Sequence, residues 1–194
     1  MIKKLLIIAL LFTSSIYAAG DKGTFGLNIN SDDLEVEGRV SLATRTRTLE
    51  YRNFYLDANF INGEDDNLYG VGFYVENSPH GYSNLTFDIG LRSIFSGNDA
   101  TDETFVAIPI YVAAKARMYL GNLPKSALGF KLSYAPNPLS FSDAKSYLEY
   151  RIEVDMQLID NINVYAGYRN IDTEYDNDDV NFNSAGYAGF KFVF

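Results

Sequence analysis

His80, the one histidine of the chain, stands three residues before Ser83, and this pair is the natural place to look for a base and its nucleophile. A histidine activates a serine hydroxyl only when the two side chains lie within hydrogen-bond reach. In a β-strand, side chains three positions apart point to opposite faces, so a strand would keep His80 away from Ser83. Pro79 and Gly81 flank the histidine and favour a turn. The segment therefore predicts a polar turn and no catalytic residue.

With Asn84 after Ser83, the same segment resembles the His-x-Ser-Asn signature of outer-membrane lipid A deacylases. That resemblance implies a histidine base and a serine nucleophile on one strand face. Here the spacing between the two is one residue longer, which breaks the shared face. A lipid-modifying barrel enzyme is kept as the third hypothesis for the function.

A cluster of carboxylates near the C-terminus could bind a hard cation. Asp172, Glu174, Asp176, Asp178 and Asp179 supply the oxygen atoms that Ca²⁺ prefers. The segment lacks the glycine and the distal glutamate of an EF-hand loop, so a solvated acidic loop is the favoured interpretation. Loose divalent bridging to lipopolysaccharide phosphates lies between the two. No metal site and no cofactor are predicted.

Charged side chains of both signs recur on the polar face of a series of alternating segments. If that face lines a barrel, unpaired charges would be costly there, whereas opposite charges on different strands can pair. We expect Arg92, Arg117 and Arg151 to bind carboxylates of the kind of Asp88, Glu149 or Glu153. Barrels of about eight strands are filled by their side chains, which predicts a plugged or very narrow lumen. The predicted lumen-lining charges are Asp57, Glu76, Asp88, Arg92, Lys115, Arg117, Lys131, Glu149, Arg151, Glu153, Asp155, Arg169 and Lys191.

These charges are carried by segments in which apolar and polar residues alternate, as expected of strands with one face in an apolar environment. Pro109 lies within one of them, where it removes a ladder hydrogen bond and predicts a local bulge. The predicted strands are 24–30, 34–43, 52–61, 68–77, 85–95, 105–120, 128–135, 148–158, 162–171 and 186–194.

The connections between these segments alternate in length. Outer-membrane barrels have long extracellular loops and short periplasmic turns, and the long connections, mostly acidic, are 62–67, 96–103, 136–145 and 172–183. If the last strand runs down to the periplasm, an exported N-terminus needs one upward strand first, which only 24–30 supplies. The count is then about ten strands. Eight is the alternative, if 24–30 lies outside the barrel and another segment is over-read.

The last strand places three aromatic rings on one face, at Phe190, Phe192 and Phe194. An aromatic face at a chain end in water invites aggregation, whereas the same face against lipid closes a barrel. The pattern resembles the C-terminal signal of bacterial outer-membrane proteins. This resemblance implies that the barrel-assembly machinery is a partner during biogenesis.

Residues 1–19 are predicted to be a secretory signal peptide, with cleavage within 18–20, ahead of one barrel domain over 20–194. Its apolar core is shorter than the roughly 20 residues of a transmembrane helix. The chain has no cysteine, which excludes disulfides and a lipoprotein anchor. A net charge of −9 argues against a nucleic-acid partner. The 15 tyrosines and 14 phenylalanines fit interfacial aromatic girdles, although tryptophan is absent.

Several short motifs follow one another in the second half of the chain. They are Tyr134-Ala135-Pro136, Leu139-Ser140 with Asp143, Ser146-Tyr147 with Glu149, Gly167-Tyr168-Arg169 with Ile171-Asp172, and the closing residues from Gly189 to Phe194. Together they resemble the YfaZ family of bacterial outer-membrane proteins. The resemblance covers roughly 128–194, while the first half matches in length, signal peptide and strand pattern. It implies a barrel in the outer membrane and assigns no catalytic residue.

The sequence therefore predicts an all-β protein, an antiparallel up-and-down transmembrane β-barrel in the bacterial outer membrane. We expect a monomer in contact with outer-membrane lipids and lipopolysaccharide. The predicted function is structural, or minor passage of small polar solutes, without enzymatic activity. The alternative is a secreted or periplasmic lipocalin-like binding barrel, which would place apolar residues inside and polar residues outside.

Overall fold

The computed structural model of the protein describes residues 23–42, 53–63, 66–98, 103–119, 121, 124–175 and 179–194. Most of this part of the chain is β-strand, as the alternation predicts. The predicted signal peptide and its cleavage site lie outside the described residues. Among the described residues, no helix has the length and apolar character needed to cross a membrane.

The described strands follow one another with short connections and one 3-10 helix, Asn137–Leu139. In chain order they are β1 (Gly23–Ile29), β2 (Leu34–Leu42), β3 (Asn53–Asn62), β4 (Asp66–Asn77), β5 (Leu85–Asn98), β6 (Glu103–Ala107), β7 (Ile110–Met118), β8 (Ser126–Ala135), β9 (Ser140–Ser142), β10 (Ala144–Ile159), β11 (Ile162–Tyr175) and β12 (Asp179–Val193).

The sheet closes on itself. β1 pairs antiparallel with β2 on one side and with β12 on the other, and β4 pairs with β5. β6 and β7 follow each other along β5 in one register, with Ala107 opposite Ile94 and Ile110 opposite Leu91. They occupy one position in the wall, and β9 extends the line of β8. The result is a closed barrel of 10 strands, so the predicted count is confirmed and the alternative of eight is wrong.

Side chains along each strand alternate between the outside and the lumen. Ile89 on the outside is 62% exposed, whereas Arg169 on the inside is 0% exposed. This is the facing of a transmembrane barrel, and it overturns the lipocalin-like alternative, which required an apolar interior. The outward apolar belt consists of Leu56, Val71, Phe73, Ile89, Leu91, Ile110, Val112, Leu128, Phe130, Ile152, Val154, Met156, Phe190 and Phe192.

The two ends of the barrel are distinct. Gly23 and Phe194 lie together at one end, the terminus end, and the opposite end is the loop end. Towards the loop end the outward belt gives way to the rings of Tyr150 and Tyr168, 6.2 Å apart. Beyond them, polar residues appear on the outward face of β11 and β12, where Asn181 donates a hydrogen bond to Asp172. Aromatic rings between an apolar belt and a polar rim mark a membrane interface.

The acidic connections predicted as long loops lie at the loop end, but their predicted bounds are wrong. β5 runs to Asn98, β11 runs to Tyr175 and β12 begins at Asp179, so much of each connection is paired strand. Residues 99–102 and 176–178 lie outside the described residues. The backbone hydrogen bonds between strands do not depend on apolar side chains. The strands therefore continue beyond the outward apolar belt, where both faces are polar or the inward face is packed.

Pro109 separates β6 from β7, at the position where a bulge was predicted. β6 and β7 pair with β5 in one unbroken register. The irregularity therefore lies on their other side, between β8 and β9. There the 3-10 helix loops out, and the N–H of Ile108 donates to the carbonyl of Leu139 at 2.8 Å. The neighbouring strand therefore bends around the missing proline N–H.

Candidate functional site

The inward faces of the strands bring charged side chains together in the middle of the lumen. Glu35 on β2 is 0% exposed and is the centre of this group. It accepts hydrogen bonds from Nη1 and Nη2 of Arg151 at 2.6 and 2.9 Å, and from Nη1 of Arg169 at 2.6 Å. The amides of Asn28 and Asn59 donate to it at 2.9 and 2.8 Å. One carboxylate is thus fully satisfied by two guanidinium groups and two amides.

The group extends across the lumen towards β5. The Nε of Arg151 is bonded to Glu149, and Glu149 also accepts from the hydroxyl of Tyr147 at 2.8 Å. On the far wall, Nη1 of Arg92 lies 3.4 Å from Glu149, and Nη2 donates to Asn59 at 2.7 Å. Charges from opposite walls therefore meet in the middle of the barrel.

A third contact ties this group to the turn between β1 and β2. Arg169 is bonded to Asp33, and the amide of Asn183 donates to Asp33 at 2.6 Å. We call Asp33, Glu35, Arg92, Glu149, Arg151 and Arg169 the central network. Buried charges without partners are strongly destabilising, so loss of any one member would leave another charge buried without its partner.

Above the central network, towards the loop end, the inward face becomes apolar. Ile61, Leu68, Ile94, Phe105 and Ile171 are each 0% or 1% exposed. The rings of Phe105 and Tyr147 are 5.8 Å apart, and those of Phe105 and Tyr175 are 5.6 Å apart. This apolar plug consists of Ile61, Leu68, Ile94, Phe105, Ala107, Ala135, Ala144, Tyr147, Ile171 and Tyr175, with Leu139 and Phe182 packed against it.

Below the central network, towards the terminus end, the lumen holds a cavity of about 430 Å³. Tyr55, Tyr74 and Tyr111 form an aromatic cluster along its wall, with Ala113 packed against it. The guanidinium of Arg39 lies over two of these rings, 3.7 Å from the centre of Tyr55 and 4.6 Å from that of Tyr74. Cations favour the negative face of an aromatic ring, so this stacking holds the arginine in place.

Ion pairs line the rest of the cavity. Arg39 reaches Glu76 at 2.9 Å and Asp88 at 3.7 Å. Lys191 lies 3.4 Å from Glu37 and 3.3 Å from Glu153. Two further pairs are those of Lys131 with Glu37, at 3.9 Å, and of Lys115 with Asp155. Charges of both signs therefore lie around one cavity.

Twelve of the thirteen predicted lumen-lining charges join these ion pairs, and Arg117 does not. Arg117 is exposed at the mouth of the cavity, where its Nη1 lies 3.4 Å from the carbonyl of Ser83. No carboxylate of the described residues lies within ion-pair distance of it, so the predicted ion pair of Arg117 is wrong. Arg117 and Asp155 both flank Ala127 of β8 in the ladder, but the carboxylate of Asp155 is bonded to Lys115. Arg92 and Arg151 do bind Glu149, as predicted, whereas the predicted partners Asp88 and Glu153 pair instead with Arg39 and Lys191.

The prediction missed four charges that the structure places inside, namely Asp33, Glu35, Glu37 and Arg39. Three of them stand on the polar face of the segment 34–43, so the alternation could have found them. Asp33 lies in a turn, where no periodicity identifies an inward position. The apolar plug was also missed, because its residues interrupt the polar face.

The predicted assembly residues lie on the outward face of β12, next to β1. Phe190, Phe192 and Phe194 are each 38–40% exposed, and the first two rings are 5.5 Å apart. His80 and Ser83 lie in the turn between β4 and β5, at the terminus end, where the N–H of Tyr82 donates to the carbonyl of Pro79 at 3.0 Å.

Only part of the predicted acidic segment lies within the described residues. Asp172 and Glu174 lie within β11, and residues 176–178 lie outside the described part of the chain. Within the described ranges, no group of three or more His, Asp or Glu side chains is placed to hold a metal ion.

Among known protein families, the one described as "YfaZ precursor" matches residues 3–194 of this chain. Two similar solved structures are a "Bacterial polysaccharide outer membrane secretin" and a "NanC porin". The first is 12% identical, covers 89% of this chain and 68% of the other, and has a TM-score of 0.48. The second is 15% identical, with 89% and 97% covered and a TM-score of 0.45. No curated protein matches the chain.

Proposed function

Because this chain belongs to the YfaZ family and its barrel lies in the bacterial outer membrane, we propose that it is a closed barrel with a structural role there. The observation that carries this proposal is that two successive layers fill the lumen. The central network joins β2, β5, β10 and β11 across the barrel, and the apolar plug covers it towards the loop end. We place the terminus end at the periplasm, where outer-membrane barrels have their short turns.

Each layer opposes conduction for a different reason. An ion that entered the central network would have to displace Arg151 or Arg169 from Glu35, which would leave a buried charge without its partner. An ion that entered the apolar plug would lose its water without gaining any ligand, and hydrophobic constrictions close pores in this way. Passage of even small polar solutes would need both layers to open at once.

Planar-bilayer recording on the refolded mature chain tests the proposal. We expect no steady conductance in symmetric salt, because both layers stay closed at rest. A large, steady conductance from the wild-type chain would overturn it. Rare, brief openings would favour instead the minor passage of small polar solutes. A conducting outer-membrane porin, added to the same bilayer afterwards, shows that the bilayer reports pores.

We further propose that the barrel is not an enzyme and that it acts as a monomer among outer-membrane lipids and lipopolysaccharide. The position of His80 and Ser83 in a turn at the terminus end supports the first part, because lipid A lies in the opposite leaflet. Lipid A extracted from cells that carry His80→Ala should match that from wild-type cells. A change in its acylation pattern would favour the lipid-modifying alternative.

A further inference from the structure

The cavity below the central network is closed at its inner end, so it is a pocket with one mouth and not a segment of a pore. Its mouth lies among residues at the terminus end, such as Thr24, Ser78 and Val193, and its inner end meets Asp57 and Tyr111. Asp57 lies 3.6 Å from Arg92 of the central network. A volume of about 430 Å³ is within the usual range for small-molecule sites, roughly 300–1,000 Å³.

On one part of the cavity wall, two strands that carry acidic residues stand beside two strands that carry basic residues. β4 and β5 carry Glu76 and Asp88 directly opposite each other, and the next strands of the wall carry Lys115 and Lys131 on β7 and β8. In the ladder, Asp88 is opposite Ala113 of β7, and Ala113 is opposite Lys131 of β8. Asp88 and Lys131 therefore flank Ala113, separated by two strand spacings, or about 10 Å at the backbone.

The small side chain of Ala113 leaves the space between these two charges open. Neither charge is tightly held, since Asp88 is 3.7 Å from Arg39 and Lys131 is 3.9 Å from Glu37. Their side chains also keep contact with the cavity, because that of Lys131 is 30% exposed and that of Asp88 is 12% exposed. Both charges can turn towards a ligand without breaking a short ion pair.

We propose that this cavity binds a small zwitterion, with its cationic group at Asp88 and its anionic group at Lys131. A zwitterion brings no net charge into a site whose own charges are already balanced. A simple anion would be attracted by Lys131 but repelled by Asp88, and a simple cation would be attracted by Asp88 but repelled by Lys131.

The test is calorimetric titration of the refolded mature chain in detergent micelles with three matched probes. Phenylalanylglycine is zwitterionic, its C-terminal amide is cationic, and its N-acetyl derivative is anionic. We expect one molecule of phenylalanylglycine to bind per barrel, and each singly charged analogue to bind at least about tenfold more weakly, since each loses one charged contact. Equal affinity for the N-acetyl form, or no binding of phenylalanylglycine at millimolar concentration, would overturn the proposal.

Two variants locate the site without removing a charge. Ala113→Leu fills the gap between Asp88 and Lys131 and should weaken phenylalanylglycine binding at least about tenfold. Ala116→Leu adds the same atoms to the lipid-facing side of the same strand, opposite Leu128, and should leave binding unchanged. Unaltered binding by Ala113→Leu, in a barrel that folds as the wild type does, would show that the ligand lies elsewhere. Calorimetry measures binding and bilayer recording measures closure of the lumen, so a failure of this inference is distinguished from a failure of the closed barrel.

Discussion

Gly23 and Phe194 exchange both of their backbone hydrogen bonds, the glycine N–H donating to the phenylalanine carbonyl at 2.8 Å and the phenylalanine N–H to the glycine carbonyl at 3.0 Å. The last residue of the chain thus closes the seam between β12 and β1. The ring of Phe194 also covers Gly23, where an added Cβ would lie 2.2 Å from its Cε2 atom. A side chain at position 23 and this ring cannot share the space.

Deletion of Phe194 should therefore impair assembly in the outer membrane, because it removes the seam bonds and the terminal ring of the predicted signal. Immunodetection of the folded barrel in outer-membrane fractions measures this. Tyr119→Ala, which removes an aromatic ring that is 73% exposed near the same end, is the control. Equal abundance of the two variants would show that the terminal ring has no special part in assembly.

Substitutions at adjacent positions of β10 should differ sharply in their effect on stability. Val154→Arg should lower the free energy of unfolding in lipid vesicles by roughly 2–4 kcal/mol, because it places a charge in the apolar belt. Asp155→Asn should cost less than about 1 kcal/mol, since its partner Lys115 has a side chain that is 45% exposed. Denaturant titration in vesicles compares the two, and similar losses would contradict the facing of β10.

Glu35→Gln should be among the most destabilising changes in the lumen, by about 3–5 kcal/mol, because it leaves Arg151 and Arg169 buried beside a neutral side chain. The same change at Glu76, whose side chain is 22% exposed, is the matched control and should cost less. The double variant Glu35→Gln/Arg169→Gln should recover part of the unfolding free energy that Glu35→Gln alone loses. Additive losses in this cycle would mean that the two side chains do not interact.

Conductance should appear only when both layers of the lumen are opened. Phe105→Ala loosens the apolar plug, and Arg92→Ala with Glu149→Ala removes one charge of each sign from the central network. We expect neither variant to conduct in planar bilayers, because the other layer remains closed, and the combined variant to conduct. Arg117→Ala is the control, since that side chain lies at the mouth of the cavity. Conductance from Phe105→Ala alone would show that the central network is permeable.

The sequence predicted the barrel well because strand alternation depends on neighbours in the chain. Val154 and Asp155 show the facing of β10 without any knowledge of β8 or β11. Contacts across the lumen are a different matter, because Phe105 meets Tyr147 and Tyr175 only after the barrel has closed. An apolar residue on an inward face is an exception to the alternation of apolar and polar residues, and it is explained only when its partners from distant strands are known. For the same reason the partner of Arg117 was predicted wrongly although its inward face was predicted correctly.

The hydrogen bonds of Glu35 join residues that are far apart in the chain, 116 positions for Arg151 and 134 for Arg169. Neither arginine can reach the glutamate while β10 and β11 are unattached to the first strands. Until then every one of these charges needs water, so the nascent lumen must stay hydrated during insertion. The expulsion of that water is then a late and cooperative step of folding, so replacement of Glu35 should mainly speed unfolding and change the rate of insertion little.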